Sequence, residues 1–463
     1  MSEPQVIIVG GGISGLAAAY FLRQRGIRSV IVEKSSRLGG LIQTDCVEGC
    51  VLEAGPDSYL AAKPAVTELA RDLPALEAQI IESNDAARRV FVVRAGKLLP
   101  LPRGIVMMAP AEWSSALRSP LFSAGAKLRL IAETFSRPRV RAADVAVGDF
   151  VREHFGSQVL DLVAEPLLAG VYGGNSANLS TQSVLPRFLR YEQRYGSLIR
   201  GVREERRHST QNGSLFRSFR NGMQSLTDAL ATAAADHTRV IRAEATRIER
   251  ASSAKWRLDT GSGESIESGN LVLACPAHVS ARLLEPALPD AAAELASIPY
   301  SSSILATFVF NRSELNHPLD GFGFLVPRRE RRTIAAATWV STKFPSRTPP
   351  HLAAVRAFIV AEKAAELLGA DQHIIAELAG SDLQKFMGLD ARPRFSNVCS
   401  WPNSMPQYIV GHEQRRERIS AALEGAPGLF LTGNAFEGVG IPDCVRLAKQ
   451  TAKRLRPRFA HGA

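Results

Sequence analysis

"PQVIIVGGGISGLAAAYFL", residues 4–22, contains no charged residue. A run of that length and apolarity would suffice for a bilayer-spanning helix. Its interior argues otherwise. A short apolar strand, "VIIV", runs into Gly10, Gly11 and Gly12, followed by Ile13, Ser14 and Gly15 and an Ala/Leu-rich helix. This is G-x-G-x-x-G directly after a strand. The first glycine allows a tight turn, the second a close approach of backbone to a pyrophosphate, and the third close packing of helix on strand. The helix N-terminus then offers free amides and the positive end of its dipole to the phosphates. A second apolar strand, "SVIVE", ends in Glu33. A carboxylate about twenty residues beyond the loop accepts from ribose hydroxyls and repels a 2′-phosphate. The stretch before the run, "MSEP", has an acid and no base, unlike a signal peptide. We read a nucleotide-binding βαβ unit, not a membrane span.

The chain has 463 residues, enough for two or three domains. With 45% hydrophobic and 22% charged residues it has an ordinary globular composition. Its five cysteines show no C-x-x-C spacing, so we expect reduced thiols, a cytoplasmic protein and no metal site. The net charge of +11 favours anionic partners. Basic residues gather in "RRERR" (328–332), "REERRH" (203–208) and "KRLRPRF" (453–459), each read as a solvated face. None is interleaved with aromatics as in RNA-binding modules, so nucleic acid is not an expected partner.

Directly after Glu33, "EKSSRLGGLIQT" supplies Lys34, Arg37, Gly39, Gly40 and Leu41. This resembles the R-x-G-G segment of the FAD-containing amine oxidase superfamily. An extended FAD needs further close backbone approaches beyond the first loop. "GPDSYLAAK" (55–63), "EPLLAGVYGGNSANLSTQSVLPRFLRYEQRYGSLIRG" (165–201), "GFGFLVPRRERRTIAAATWVSTKFPSR" (321–347), "SWPNSMPQYIVGH" (400–412) and "FLTGNAFEGVGIPDCV" (430–445) extend the likeness. Together they make the chain similar to the oxygen-dependent protoporphyrinogen IX and coproporphyrinogen III oxidases of haem biosynthesis.

That resemblance implies an α/β fold with a discontinuous Rossmann-like FAD domain (1–80, 214–280 and 395–463). It also implies a mixed α+β substrate domain (81–100 and 281–394) and a mainly helical domain (101–213). It implies non-covalent FAD bound by the glycine-loop residues above, by Gly55, Pro56, Asp57 and Ser58 in the segment that passes the flavin ring in bacterial porphyrinogen oxidases, by Val240 through its backbone, and by Trp401, Gly433, Val439, Gly440 and Ile441. The last three would set a helix N-terminus against the flavin carbonyls. The helical domain would touch membranes peripherally at the inner face of the cell membrane, through helices such as "LPRGIVMMAP" (101–110), whose apolar "IVMM" run would serve equally well as core.

The implied reaction uses the flavin as hydride acceptor and dioxygen as its reoxidant, with release of hydrogen peroxide. No protein side chain need act as a catalyst. The implied substrate contacts are apolar walls at Leu325, Thr338 and Phe358, with Gly170 beside them. The propionate cations would be Lys63 and an arginine at either 88 or 89, with Arg89 the choice. Thr338 stands where plant enzymes of the family carry a larger aliphatic residue. A ferrochelatase receiving the product and a homodimer complete the expected partners. Two other readings stay open at this stage: an amine oxidase or carotenoid desaturase of the same superfamily, and a flavoprotein without enzymatic activity. Sequence alone does not separate the two porphyrinogens.

Overall fold

The structure, a computed structural model, describes residues 4–208, 213–252 and 255–455. The basic tail beyond Leu455 lies outside the described residues. The opening stretch folds as the βαβ reading requires. "VIIV" forms the strand Val6–Val9, buried at every position, and Ile13–Arg23 is the following helix. Val6–Val9 is the centre of a five-stranded parallel sheet. Its order is Thr238–Arg242, Ser29–Glu33, Val6–Val9, Leu271–Leu273, Leu429–Leu431. Parallel strands covered on both faces read as continuous apolar runs, as the three central strands do, whereas the edge strand Thr238–Arg242 is largely exposed. One face packs on the helices Ile13–Arg23, Gln224–Ala234 and Ile441–Arg454. The other packs on Trp256, Leu258 and Ile266 of a small antiparallel sheet and on the helix Ala277–Leu284.

A second, seven-stranded sheet holds the middle of the chain. Its order is Phe395–Pro406, Tyr300–Asn311, Leu352–Val360, Ala336–Trp339, Gly323–Leu325, Val90–Arg94, Lys97–Pro100. Of residues 81–100, the strands Val90–Arg94 and Lys97–Pro100 join this sheet, while Ile80–Glu82 pairs with Phe216–Phe219 in a separate three-stranded sheet. Residues 395–406, expected in the nucleotide domain, instead form an edge of the seven-stranded sheet. Their alternating buried and wetted positions are those of an antiparallel strand with one exposed face, unlike the uniformly apolar central parallel strands.

The segment 101–213 is mainly helical around a core of Phe150, Phe155, Leu168, Phe188 and Leu198. "LPRGIVMMAP" is not one of its helices. Gly104 (φ +73°) and Met107 (φ +57°) turn it into a two-stranded hairpin, Ile105–Val106 against Ala109–Pro110. Met108 is 1% exposed, and the half-buried Ile105, Val106 and Met107 pack against the helical core, so the run faces mainly inward. Among the described residues no helix is long and apolar enough to cross a membrane.

Candidate active site

Three backbone segments meet at the C-terminal end of the parallel sheet, where ligands of open α/β folds bind. Gly10 turns the chain at φ +103°. A Cβ on Gly15 would stand 1.9 Å from the Gly10 carbonyl oxygen, so helix and strand touch there. Gly12 differs: a Cβ on it would meet only the Gly40 Cα, at 3.8 Å. Gly12 pairs with Gly39 in an isolated bridge, and the Gly39 N–H donates to the Gly11 carbonyl at 2.8 Å. The helix Ile13–Arg23 has no side-chain cap and no acid in its first turn. Its amides and dipole are therefore free for an anion, with backbone closing the sides. Ser14 is buried beneath this cradle and Ile13 is partly buried. This donor set fits a pyrophosphate.

Glu33 stands beside the cradle. One of its oxygens accepts from the Gly11 N–H at 2.6 Å and the other from the Ser35 N–H at 2.8 Å, so it braces the loop. Lys34 and Leu41 are exposed at the rim. Arg37 turns inward, donating to the carbonyls of Leu38, Gly40 and Ile42. Its work in this geometry is to hold the Gly39–Gly40 turn. Val240 lies on the edge strand, paired with Ile31.

The second half of the cradle is more tightly held. Gly55 runs so close to Leu41 that a Cβ would be 1.8 Å from its carbonyl oxygen. The Ala54 carbonyl accepts from Trp401 Nε1 at 2.6 Å, and the Gly55 carbonyl accepts from Arg356. After the partly buried Pro56, both Asp57 carboxylate oxygens receive Lys343 Nζ at 3.1 Å. Ser58 Oγ donates to the same carboxylate at 2.6 Å, and Ser218 Oγ donates to the Asp57 carbonyl at 2.6 Å. Burial alone would raise the Asp57 carboxyl, but Lys343 and Arg356 hold it well below the usual range. From the last segment, Gly433 (φ +135°) turns the chain, and after Val439 the helix Ile441–Arg454 starts at Gly440 without a side-chain cap. Unlike the first helix, this one carries an acid, Asp443, in its first turn.

The wall of the site is one face of the seven-stranded sheet. Val92, Leu325, Ala336, Phe358, Leu305 and Cys399 lie directly opposite one another across six strands. One pleat along, Gly323, Thr338, Arg356, Thr307 and Asn397 form the next row. Side chains two apart share a face, so Leu325, Thr338 and Phe358 stand on one surface. The opposite face, with Phe324, Ala337 and Ala357, packs on the helix Gln372–Met387. The helix Glu165–Tyr172 crosses the wall where Ala169 meets Phe358 and Val360. Beside that contact a Cβ on Gly170 would meet nothing within 4 Å, so the helix is flat there.

The family model for flavin containing amine oxidoreductases matches residues 13–456. The chain belongs to that family. Curated relatives include coproporphyrinogen III oxidase of Bacillus subtilis, 31% identical over 96% of this chain and 97% of the relative. That of Staphylococcus aureus is 33% identical, over 97% and 98%. Mitochondrial protoporphyrinogen oxidase of Nicotiana tabacum is 26% identical, over 95% and 92%. A crystal structure from Exiguobacterium sp. 255-15, assigned provisionally as a protoporphyrinogen oxidase, superposes with a TM-score of 0.87. It is 29% identical, over 98% of both chains. A putrescine oxidase structure (TM-score 0.72, 17% identity, 97% and 98% coverage) shares the fold. The resemblance first seen in the sequence motifs thus extends over the whole chain. The cofactor of this flavin oxidoreductase is FAD, which the glycine cradle and the uncapped, acid-free start of the helix Ile13–Arg23 fit.

The expected substrate cations of this oxidoreductase are placed less simply. Lys63 reaches Asp443 at 2.6 Å, in the first turn of the helix Ile441–Arg454. Its charge is already partnered. Arg88 lies 3.6 Å from Asp85, and Arg89 lies 2.6 Å from Asp320, both at the surface. Alternation along Val90–Arg94 puts Val90 and Val92 on the Leu325 face and Phe91 on the opposite one.

Three cations were missed by sequence reading. Arg331, taken as part of a solvated run, is mostly buried against Glu165 at 3.2 Å, at the wall's edge. Lys343 and Arg356 lie inside the motif stretch and the following strand. The signal was present: "STKF" and "AVRAF" each set one cation among residues otherwise suited to a core.

Proposed function

We propose that this FAD-dependent oxidoreductase oxidises a porphyrinogen to the porphyrin in haem biosynthesis, with dioxygen as acceptor and hydrogen peroxide as by-product. One observation carries the reading: an apolar wall of Leu325, Phe358 and Thr338 adjoins the held segment Gly55–Ser58, and the helix that packs on this wall through Ala169 leaves open space at Gly170. A macrocycle needs such a broad surface. Full-length similarity to coproporphyrinogen III oxidases supports this substrate class over amines.

When bound, FAD supplies the acceptor for a hydride from a bridging methylene. The chain's own residues orient and enclose. Leu325 and Phe358 present apolar surface to the ring system and exclude water from it. Lys63 and an arginine at 88 or 89 offer charge to propionates at the periphery. Cys444 and Cys275 stay protonated, because burial pushes both thiols up to about 11. Burial and the nearby Asp443 likewise hold the Tyr172 phenol up at about 12. None of the three is therefore an ionised group at neutral pH.

Coproporphyrinogen III and protoporphyrinogen IX, each supplied under air to the FAD-loaded protein, test the proposal by porphyrin fluorescence and peroxide release. Enzyme-dependent formation of both products with one substrate supports it. Porphyrin formation no faster than without enzyme, for both substrates, overturns it.

A further inference from the structure

Beneath the Gly55–Ser58 segment lies a set of buried charges that orientation of a substrate does not require. Arg347, 1% exposed, pairs with Glu53, which also accepts from the Met223 N–H at 2.7 Å and from Thr44 Oγ1 at 2.7 Å. That half is balanced, one cation to one carboxylate. Asp57 is shared by two cations, Lys343 at 3.1 Å and Arg356 at 3.7 Å. Lys343 is 7% exposed and Arg356 3% exposed. Three cations therefore face two carboxylates, an excess of one positive charge. A further carboxylate on this side, Asp45, is partly exposed and bonds to Asn397 at 3.1 Å.

Removing an ion from water costs several kcal/mol even after relaxation, and one carboxylate cannot compensate two cations. Burial lowers the affinity of Lys343 for its proton, and the Nε of Arg356 finds no acceptor. Hydrogen bonding inside the segment does not explain the expense. Ser218 and Trp401 already hold its backbone with neutral donors, and a neutral donor could replace the Arg356 bond to the Gly55 carbonyl. An excess cation is retained economically only where negative charge arrives nearby. The segment it underlies is the one assigned to the flavin ring, which gains one negative charge on accepting a hydride.

We propose that Lys343 and Arg356, set by Asp57, are positioning residues that carry one excess positive charge to the cofactor segment and stabilise the reduced flavin. This rests on the assignment of Gly55–Ser58 to the flavin ring. Arg356 has a second neighbour, since its guanidinium lies 5.0 Å from the Phe358 ring centre. The charge therefore stands between the cofactor segment and the substrate wall.

The test uses FAD-loaded wild type, Lys343→Met, Lys343→Arg and Asp57→Asn. Flavin midpoint potential is measured by anaerobic dye equilibration, and flavin–sulfite adduct affinity by absorbance. Lys343→Met should weaken sulfite binding at least tenfold and lower the potential by about 30 mV, the two-electron equivalent of tenfold. Lys343→Arg should restore both. Asp57→Asn should move both the opposite way, because it removes the carboxylate that Lys343 and Arg356 share. A purely structural staple would shift Lys343→Met and Asp57→Asn in the same direction or in neither, and that result overturns the inference. If Lys343→Met fails to retain FAD, Asp57→Asn decides by its sign: a raised potential supports the inference, and an unchanged or lowered one overturns it. Failure of the wild type to bind FAD would instead overturn the cofactor assignment itself.

Discussion

At the scale of single residues, the glycine loop separates what the fold needs from what the cofactor needs. Gly15 has no room: its Cβ would stand 1.9 Å from a backbone oxygen. Gly12 has room in the protein itself, and its nearest obstacle is the Gly40 Cα at 3.8 Å. We expect Gly15→Ala to lower thermal stability sharply, through displacement of helix from strand. Gly12→Val should fold, with near-wild-type circular dichroism, yet lose FAD, because its side chain fills the pyrophosphate position. Absorbance at the flavin band after reconstitution checks both. A yellow Gly12→Val protein would move the phosphates elsewhere. The motif was legible in the sequence because its spacing encodes these contacts directly.

Lys63 raises a different residue-scale question, since its ammonium already holds Asp443 at 2.6 Å. The pair is half-exposed on the lysine side, so breaking it costs little stability, on the order of 0–1 kcal/mol. If the same ammonium also meets a propionate, Lys63→Met should raise KM for a porphyrinogen by roughly tenfold, about 1.4 kcal/mol, within the range of charge-assisted contacts. Turnover should change less, because such a contact is alike in ground and transition states. Steady-state kinetics with both porphyrinogens measure this, and an unchanged KM would leave Lys63 as a partner of Asp443 alone.

Among elements, the stretch Tyr408–His412 ties the helical part to the closing cofactor segment. The Tyr408 hydroxyl donates to the Asn434 carbonyl at 2.6 Å and accepts from the Gly438 N–H at 2.9 Å. His412 stacks on the Tyr408 ring at 4.1 Å and is fully buried, its Nε2 3.3 Å from the Phe436 carbonyl. Burial drives the His412 pKa down to about 4 from an ordinary value of 6.5. The unfolded chain therefore binds the proton first, and stability conferred by neutral His412 is present above pH 6.5 and lost between about 6.5 and 4. The loss should be on the order of 2–3 kcal/mol. His412→Phe, which keeps the stack, should show a shallower fall of Tm over pH 6.5 to 4.5 than wild type. Equal slopes would exonerate this histidine. In the helical part, His154 bridges Glu133 and Glu192 at 3.0 and 3.1 Å. Although burial opposes it, those carboxylates raise its pKa, so its contribution is present below pH 6.5 and is lost as pH climbs through the raised value.

Legibility also varied by element. The central parallel strands were readable because burial on both faces leaves an unbroken apolar run. The strand Phe395–Pro406 was assigned to the wrong sheet because its partner, Tyr300–Asn311, lies some ninety residues earlier and is fixed only by tertiary pairing. The hairpin at residues 105–110 was mistaken for a helix because composition hides the positive φ of Met107. Lys343 and Arg356 stayed unread because a buried charge is recognised only with its counter-ion, and Asp57 is nearly three hundred residues away in sequence.

At the scale of the whole molecule, an excess of eleven positive charges needs a place to act. Exposed apolar side chains concentrate in one short stretch. Leu128, Phe135 and Val140 are 66%, 79% and 76% exposed, and Ile131 lies between them on the same helix and its following loop. Lys127, Arg129, Arg137 and Arg139 alternate with them in sequence. Apolar anchors set among cations match an anionic lipid surface, where headgroup attraction and side-chain insertion add. Peripheral attachment, if the protein has it, is thus expected at residues 124–140 and not at the inward-facing hairpin 101–110. Co-flotation with vesicles of mixed neutral and anionic lipid should show binding that weakens between low and high salt, since exposed charge is screened within about 10 Å at 0.1 M. The double variant Phe135→Ser, Val140→Ser should reduce binding at both salt concentrations while leaving flavin absorbance unchanged, because neither side chain touches the glycine cradle. Wild-type protein that stays in the unbound fraction at low salt would assign this apolar stretch to another partner, and binding retained by the double variant would place attachment on a different face.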